Sequence, residues 1–222
     1  MRFAVVRFPG SCDDRDALLA CSRFGEARLV DHHESDLGGA DCVVIPGGFS
    51  YGDYLRAGAL AGLSPVMTAV RAHAERGGPV LGICNGFQVL CEAGLLPGAL
   101  LPNAGLRFVC REVEIEVAST RSAFSACLSR GERLRIPVKH QSGRYWAPPQ
   151  VLDELERSER VVFRYAPGHN PNGSERDIAG IANERGNVVG LMPHPEHAID
   201  PLLGSADGAR LFECVARAAV AA

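Results

Sequence analysis

Apolar positions in the first half of the chain form short solid runs separated by amphipathic stretches. Arg2 to Phe8, Ala27 to Val30, Cys42 to Ile45 and Val80 to Ile83 are of strand length and partly β-branched, and solid runs of this kind fit strands buried on both faces of a parallel sheet. Helical spacing fills the gaps. Asp13 and Asp14 open a helix over Asp16 to Phe24, stopped by Gly25; Ser64 caps one from Pro65 to Arg76, closed by Gly77-Gly78. Gly86 to Ala93 carries Phe87, Leu90 and Cys91 on one stripe. After Gly94-Leu95-Leu96-Pro97-Gly98 the pattern changes to alternation, first over Phe108 to Val117 and again over Arg133 to Val138, which predicts half-exposed antiparallel strands. A short helix over Val151 to Arg157, a strand over Val161 to Tyr165 and a turn-rich loop over Gly168 to Ser174 follow. Ile178 to Ala182 and Asn187 to Met192 flank Asn183-Glu184-Arg185-Gly186 as a hairpin. Pro193 to Leu203 reads as loop, and Ser205 to Ala219 as the closing helix. The predicted fold class is therefore α/β, with a mostly parallel central sheet plus additional antiparallel strands in the second half. No repeat, low-complexity tract or composition shift divides the chain, so residues 1–222 are expected to form a single domain.

The junction at Pro79 to Gln88 is where pattern turns into chemistry. Cys84 falls where the Val80–Ile83 run meets the Gly86–Ala93 helix, with Gly82 two residues before it and Gly86 two after. Such a turn crowds its central residue, and the flanking glycines make room. The layout repeats the Gly-x-Ser-x-Gly nucleophile elbow with sulfur in place of oxygen. A thiol there faces the positive end of a helix dipole, which suits an attacking sulfur anion. Cys12, Cys21, Cys42, Cys91, Cys110, Cys127 and Cys214 lie mostly in apolar stretches and read as small core residues.

A thiol nucleophile needs a base and a group that orients the base. Among seven histidines, His194 in Met192-Pro193-His194-Pro195-Glu196-His197 has the best context. The prolines are expected to hold the segment extended, so that His194 and Glu196 project to the same side. His140, at a strand end, is the rival base, and His169 sits in a flexible loop. Upstream, Pro46-Gly47-Gly48-Phe49 follows the Cys42–Ile45 strand. It reads as backbone donors for an anionic intermediate, as a plain strand-to-helix turn, or as a phosphate loop; the last lacks both Gly-Lys-Ser/Thr and Gly-x-Gly-x-x-Gly. The neighbours His32-His33 read as a solvated loop, and no metal site is expected.

Composition narrows the setting. The hydrophobic content of 46% over 222 residues supports a large core, and aromatics at 6% leave it to Val, Leu, Ile and Ala. A net charge of −3 without runs of one sign argues against nucleic acid or an anionic membrane as partner. No apolar run approaches the roughly 18 residues of a membrane span, and charges inside the first apolar run argue against a signal peptide. Eight cysteines without Cys-x-x-Cys or metal spacing predict reduced thiols, no disulfide framework and a cytoplasmic protein.

Taken together, Cys84-Asn85-Gly86-Phe87-Gln88 and His194-Pro195-Glu196 resemble the class I (triad) glutamine amidotransferases. Pro46-Gly47-Gly48-Phe49-Ser50-Tyr51-Gly52-Asp53-Tyr54-Leu55-Arg56, Phe8-Pro9-Gly10-Ser11, Asn170-Pro171-Asn172-Gly173-Ser174, Asp177-Ile178-Ala179-Gly180 and Leu203-Gly204-Ser205-Ala206-Asp207-Gly208 are similar to one branch of it. That branch comprises the small, separate glutaminase subunits of phosphoribosylformylglycinamidine synthase, in purine biosynthesis. The resemblance covers nearly the whole chain and implies a three-layer α/β sandwich. It implies Cys84 as nucleophile on the glutamine side-chain amide, His194 as proton relay and Glu196 as its orienter. It further implies Gly47, Gly48, Phe49 and Asn85 around the oxyanion, and Gln88 on the substrate glutamine. No cofactor is implied in this chain. ATP and Mg are expected on a larger synthetase subunit that receives the ammonia, with a small accessory subunit alongside. Rival readings are a thiol hydrolase or peptidase-like enzyme on a related fold and a catalytically idle regulatory subunit. Family members commonly read His-Gly-Glu-Gly where this chain has His140-Gln141-Ser142-Gly143. They also commonly carry Cys at Ala57, Asn before the position of Cys12, and Arg at His197.

Overall fold

A computed structural model of the chain describes residues 1–220. The apolar runs of the first half become strands β1 (Arg2–Arg7), β2 (Glu26–Asp31), β3 (Cys42–Ile45) and β4 (Val80–Ile83). Between them lie helices α1 (Asp14–Ser22) and α2 (Val66–Glu75), and α3 (Asn85–Glu92) follows β4. Every residue of β3 and β4 is buried, as solid apolar runs require. The second half supplies β5 (Ala99–Leu101), β6 (Val109–Val117), β7 (Arg133–His140), β8 (Arg144–Trp146), α4 (Pro149–Arg157) and β9 (Val161–Tyr165). The chain then runs through β10 (Ile178–Ala182), β11 (Val188–Leu191) and α5 (Ala209–Val220). β5 and β8, not foreseen from the pattern, form a small antiparallel pair of their own.

The other nine strands make one mixed sheet in the order β2-β1-β3-β4-β11-β10-β9-β6-β7. Pairing is parallel from β2 through β11 and antiparallel from β11 to β7. α1 packs on β1 and β2, and α3 on β4, β11 and β3. The predicted hairpin is present as β10–β11, but its return strand does more than close a turn. β11 lies parallel to β4, with Gly190 opposite Gly82 and Leu191 opposite Ile83. The carboxyl ends of β3, β4 and β11 therefore share one edge of the sheet, where open α/β sheets hold their ligands. Edge strand β7 reaches the same region: the His194 N–H donates to the Pro137 carbonyl at 2.8 Å. An edge position tolerates Pro137, which has no N–H to give.

Several expectations shift. The closing helix starts at Ala209, not Ser205, because Ser205 bridges to Asp200 and Asp207 accepts the backbone N–H of Arg135. α1 ends before Phe24, since the N–H groups of Arg23 and Phe24 turn back to Ala20 and Cys21. Pro193 to Leu203 contains two 3-10 turns, Pro195–His197 and Pro201–Leu203. The expectation that all eight thiols are reduced is corrected: Cys127 and Cys214 are disulfide-bonded, with Cα atoms 5.1 Å apart. They lie 87 residues apart and meet only when α5 folds back, so spacing gave no sign of it. No helix among the described residues is long and apolar enough to cross a membrane.

Two glycines separate packing from conformation. A Cβ at Gly86 would stand 2.0 Å from the Ile45 carbonyl oxygen, a backbone atom with nowhere to move, whereas one at Gly105 meets nothing within 4 Å. Gly86→Ala is expected to lose about 1–3 kcal/mol of stability, and Gly105→Ala to stay within about 0.5 kcal/mol. Urea midpoints of both variants check this; equal midpoints would refute the close-approach account.

Candidate active site

Cys84 occupies the predicted elbow. Its backbone stands at φ 50°, ψ −102°, a conformation that L-residues avoid. Neighbours on both sides hold it there. The Cys84 N–H donates to Leu191 of β11 at 2.8 Å, and its carbonyl accepts from Phe87 at 3.0 Å and Gln88 at 3.2 Å, starting α3. Gly82 and Gly86 leave no room for side chains: a Cβ on Gly82 would lie 2.6 Å from the Gly86 carbonyl oxygen. Strain of this kind, about 1–3 kcal/mol, persists where the surroundings over-determine it. The sulfur is buried and faces the Lys139 carbonyl at 3.8 Å.

The sequence places His194 and Glu196 on an extended segment; the structure places them on a 3-10 turn begun by Pro195. Proline suits the first position of such a turn, and the turn brings the two side chains together as closely as extension would have. His194 Nδ1 and Glu196 Oε1 are 2.6 Å apart, and the two residues are 1% and 2% exposed. Burial opposes a charged imidazole here. The Glu196 carboxylate, with the Cys84 thiol close by, outweighs it and pushes His194 up to about 10. The other ring nitrogen, Nε2, is buried with no hydrogen-bond partner. Cys84, His194 and Glu196 thus converge although 112 residues of chain (196 minus 84) separate the first from the last.

The rival histidines are occupied elsewhere. His140 Nδ1 meets Asn103 at 3.0 Å and Nε2 meets Asn172 at 3.4 Å, and burial, then the nearby His194, lowers it to about 4. His169 Nδ1 accepts the Glu114 N–H at 3.1 Å. The pair His32-His33 is drawn towards Asp31, at 3.5 and 3.0 Å, beside the Arg7–Asp31 ion pair.

Among the proposed donors the structure discriminates. The N–H groups of Gly48 and Asn85 have no partner among the described residues, whereas that of Phe49 donates to Gly10 at 2.9 Å and is not free. Gly48 stands at φ 145°, where glycine is favoured, and its missing Cβ leaves space for Cys12 and Gly10. The Gly47 N–H is likewise without a partner among the described residues, and this glycine also has a packing role. A Cβ there would press on Asp13 Oδ2 at 2.4 Å and His194 Cε1 at 2.6 Å, so the bare glycine lets the loop lie against the imidazole. Asn85 and Gln88 form a scaffold: Asn85 Oδ1 accepts the Ser50 N–H at 3.1 Å, and its Nδ2 donates to Gln88 Oε1 at 2.8 Å and Asp53 Oδ1 at 3.3 Å. Gln88 Nε2 donates to the Ser142 carbonyl at 2.5 Å, anchoring the 140–143 loop. A cavity of about 370 Å³ opens above the sulfur, lined by Gly48, Phe49, Asp53, Gln88, Phe108 and Ser142 among others. That volume falls in the range of small-molecule sites.

Asp13 is the residue the sequence analysis missed, having assigned it to the start of a helix. It is 2% exposed, lies 3.6 Å from His194 Nδ1 and 3.2 Å from His197 Nε2, and forms an ion pair with Lys139. Burial alone would raise its carboxyl; His197, His194 and Lys139 together hold it well below the usual carboxylate range. Asp13, His194, Glu196 and His197 come close enough to one another to hold a cation, but the Lys139 ammonium already neutralises Asp13 and the His194–Glu196 link occupies two of the donor atoms. Only the fold joins residues 13, 139 and 194–197, so no periodicity could have marked this cluster.

Residues 1–209 match the CobB/CobQ-like glutamine amidotransferase domain family. The chain is 60% identical over 213 residues to the phosphoribosylformylglycinamidine synthase subunit PurQ of Mycobacterium tuberculosis, covering 95% of this chain and 94% of that one. It is 56% identical over 218 residues to the same subunit of Thermus thermophilus, covering 96% of each. Its fold superposes on a chain of the PurLQS structure from Thermotoga maritima with a TM-score of 0.90 at 42% identity, covering 98% of both. The glutaminase domain of Trypanosoma brucei CTPS with bound acivicin shares the fold, with a TM-score of 0.63 at 15% identity over 98% of this chain and 94% of that one.

The buried Asp13 carboxylate carries a pH signature. A carboxyl depressed in the folded state adds stability that is present above its unfolded pKa, about 3.9, and is lost as acid titrates it. Asp13→Asn leaves Lys139, which is about a third exposed, without its partner, so the expected loss at pH 7 is about 1–3 kcal/mol. The gap between wild type and variant should shrink below pH 4. Urea unfolding at pH 7 and pH 3 measures it, and a gap that is constant with pH would count against a charged Asp13.

Proposed function

The chain belongs to the CobB/CobQ-like glutamine amidotransferase family, and from that premise we propose that Cys84, His194 and Glu196 carry its glutaminase chemistry. It is a class I glutamine amidotransferase and the glutaminase subunit of phosphoribosylformylglycinamidine synthase, in purine biosynthesis. The peptidase-like and idle-subunit readings are not favoured by relatives of this identity and coverage. The whole chain acts as one glutaminase domain in the cytoplasm, without a cofactor of its own.

The observation that carries the triad reading is the buried 2.6 Å contact of His194 Nδ1 with Glu196, which leaves Nε2 unpartnered beside an elbow sulfur. In the proposed sequence the Cys84 proton already rests on His194 Nε2, where Glu196 favours the imidazolium, and the sulfur anion attacks the side-chain carbonyl carbon of glutamine. The oxyanion that forms is met by the free N–H groups of Gly48 and Asn85. His194 returns the proton to the departing nitrogen, ammonia leaves, and a glutamyl thioester remains on Cys84. Water, deprotonated by the same imidazole, then displaces the sulfur and releases glutamate. Glu196 holds the tautomer that exposes Nε2 and stabilises the imidazolium between steps. Gln88 acts through the 140–143 loop that it anchors, shaping the pocket wall around the substrate.

Ammonia released into water is largely protonated at neutral pH and then no longer a nucleophile. The product therefore passes directly to a larger ATP- and Mg-dependent synthetase subunit, assembled with a small accessory subunit.

A glutamine-derived electrophile should label Cys84, located by mass spectrometry, and Cys84→Ser should abolish labelling and lower turnover at least about 10³-fold. Labelling at another cysteine would overturn the assignment. Glu196→Gln should lower kcat by about 10²–10⁴-fold with KM little changed. Addition of the synthetase should raise the glutaminase rate, and an unchanged rate would refute the coupling.

A further inference from the structure

The cavity above Cys84 contains two carboxylates, and only one has an ionic partner. Asp13 is held by Lys139 and His197. Asp53 has no cation within ion-pair distance among the described residues; its one contact is the long 3.3 Å hydrogen bond from Asn85 Nδ2 to Oδ1. Its place is built at some conformational cost. Tyr51, Gly52 and Asp53 run consecutively at φ 53°, 68° and 55°, a left-handed stretch that only glycine adopts freely. Asn85 ties this stretch to the elbow twice, through Ser50 N–H and Asp53 Oδ1, one residue along from the sulfur. Partial burial raises the Asp53 carboxyl, against the weaker help of Asn85. A cation arriving beside it would relieve that penalty.

We propose that Asp53 is a specificity-determining residue that receives the α-ammonium group of the substrate amino acid, so that the pocket selects a free α-amino acid and not merely a primary amide. This rests on the glutaminase reading above. The substrate's carboxamide lies at Cys84, its methylenes run between Phe49 and Phe108 on the cavity wall, and its ammonium end meets the carboxylate. An ammonium–carboxylate contact in a partly desolvated site is a charge-assisted hydrogen bond, stronger than one between neutral groups.

The test compares glutamine with glutaramate, the same molecule without the α-amino group, on wild type and Asp53→Asn in the presence of the synthetase. Asparagine is isosteric and tolerates a left-handed backbone, so the loop is retained. The expected result is a fall of about 10- to 100-fold in kcat/KM for glutamine, mostly in KM, with glutaramate hydrolysis unchanged. Asp53→Glu should recover part of the preference. An equal loss on both substrates, or none on glutamine, overturns the role of Asp53. If Cys84 is still labelled in that case, the glutaminase reading stands without it; a wild type that hydrolyses neither substrate and is not labelled overturns both.

Discussion

The parallel pairing of β11 with β4 decides where everything else can be. It sets Gly190 beside Gly82 and Leu191 beside Ile83, and the same ladder ends in the hydrogen bond from Cys84 N–H to Leu191. That bond fixes the turn at the sulfur and, two residues on from the last strand residue, launches the Pro193-His194 segment over it. A slip of one residue would send every side chain of β11 to the opposite face of the sheet. Phe87 would then lose the space that Gly190 leaves for it, since a Cβ on Gly190 would stand 2.0 Å from its ring. Packing of α3 on the sheet and alignment of base with sulfur are therefore one condition, satisfied together or not at all.

Charge around the imidazole follows a similar economy. Taking His194 and Glu196 out of water is costly unless each meets a partner in good geometry, and the 2.6 Å contact supplies one for both. Asp13 adds a second negative group, and the Lys139 ammonium compensates it from the outer side, with His197 Nε2 3.2 Å from the same carboxylate. The family resemblance points to arginine at position 197. Here a histidine stands there, and Lys139 brings a cation from β7 to the same carboxylate.

Much of this was legible in the residues. Solid apolar runs located β1, β3 and β4, and the switch to alternation after Gly98 located the antiparallel half. Gly82 and Gly86 around Cys84 disclosed the elbow because its geometry tolerates almost nothing else. His194 and Glu196 were found through their context, although the 3-10 turn that joins them was read as an extended segment. Proline fixes one dihedral and so fits either conformation. What stayed hidden depended on distant chain meeting in space. Asp13 looked like an ordinary helix opener, Phe49 like a free donor, and β5 and β8 were too short to show a period. The hydrogen bonds of Gln88 to Asn85 and Ser142 belong to the same class, since a buried amide's partners are set by whatever the fold brings to it.

The Cys127–Cys214 bond, spanning a sequence separation of 87, encloses β7, β9, β10, β11 and the 194–197 turn within one covalent ring, while β1 to β4 and Cys84 remain outside it. A ring of that size removes about 4–5 kcal/mol of freedom from the unfolded chain. An oxidised molecule that loses its native packing thus keeps base and orienter on a tethered lariat, and the sulfur on a free arm. Oxidation state then bears on how readily a denatured chain regains its shape.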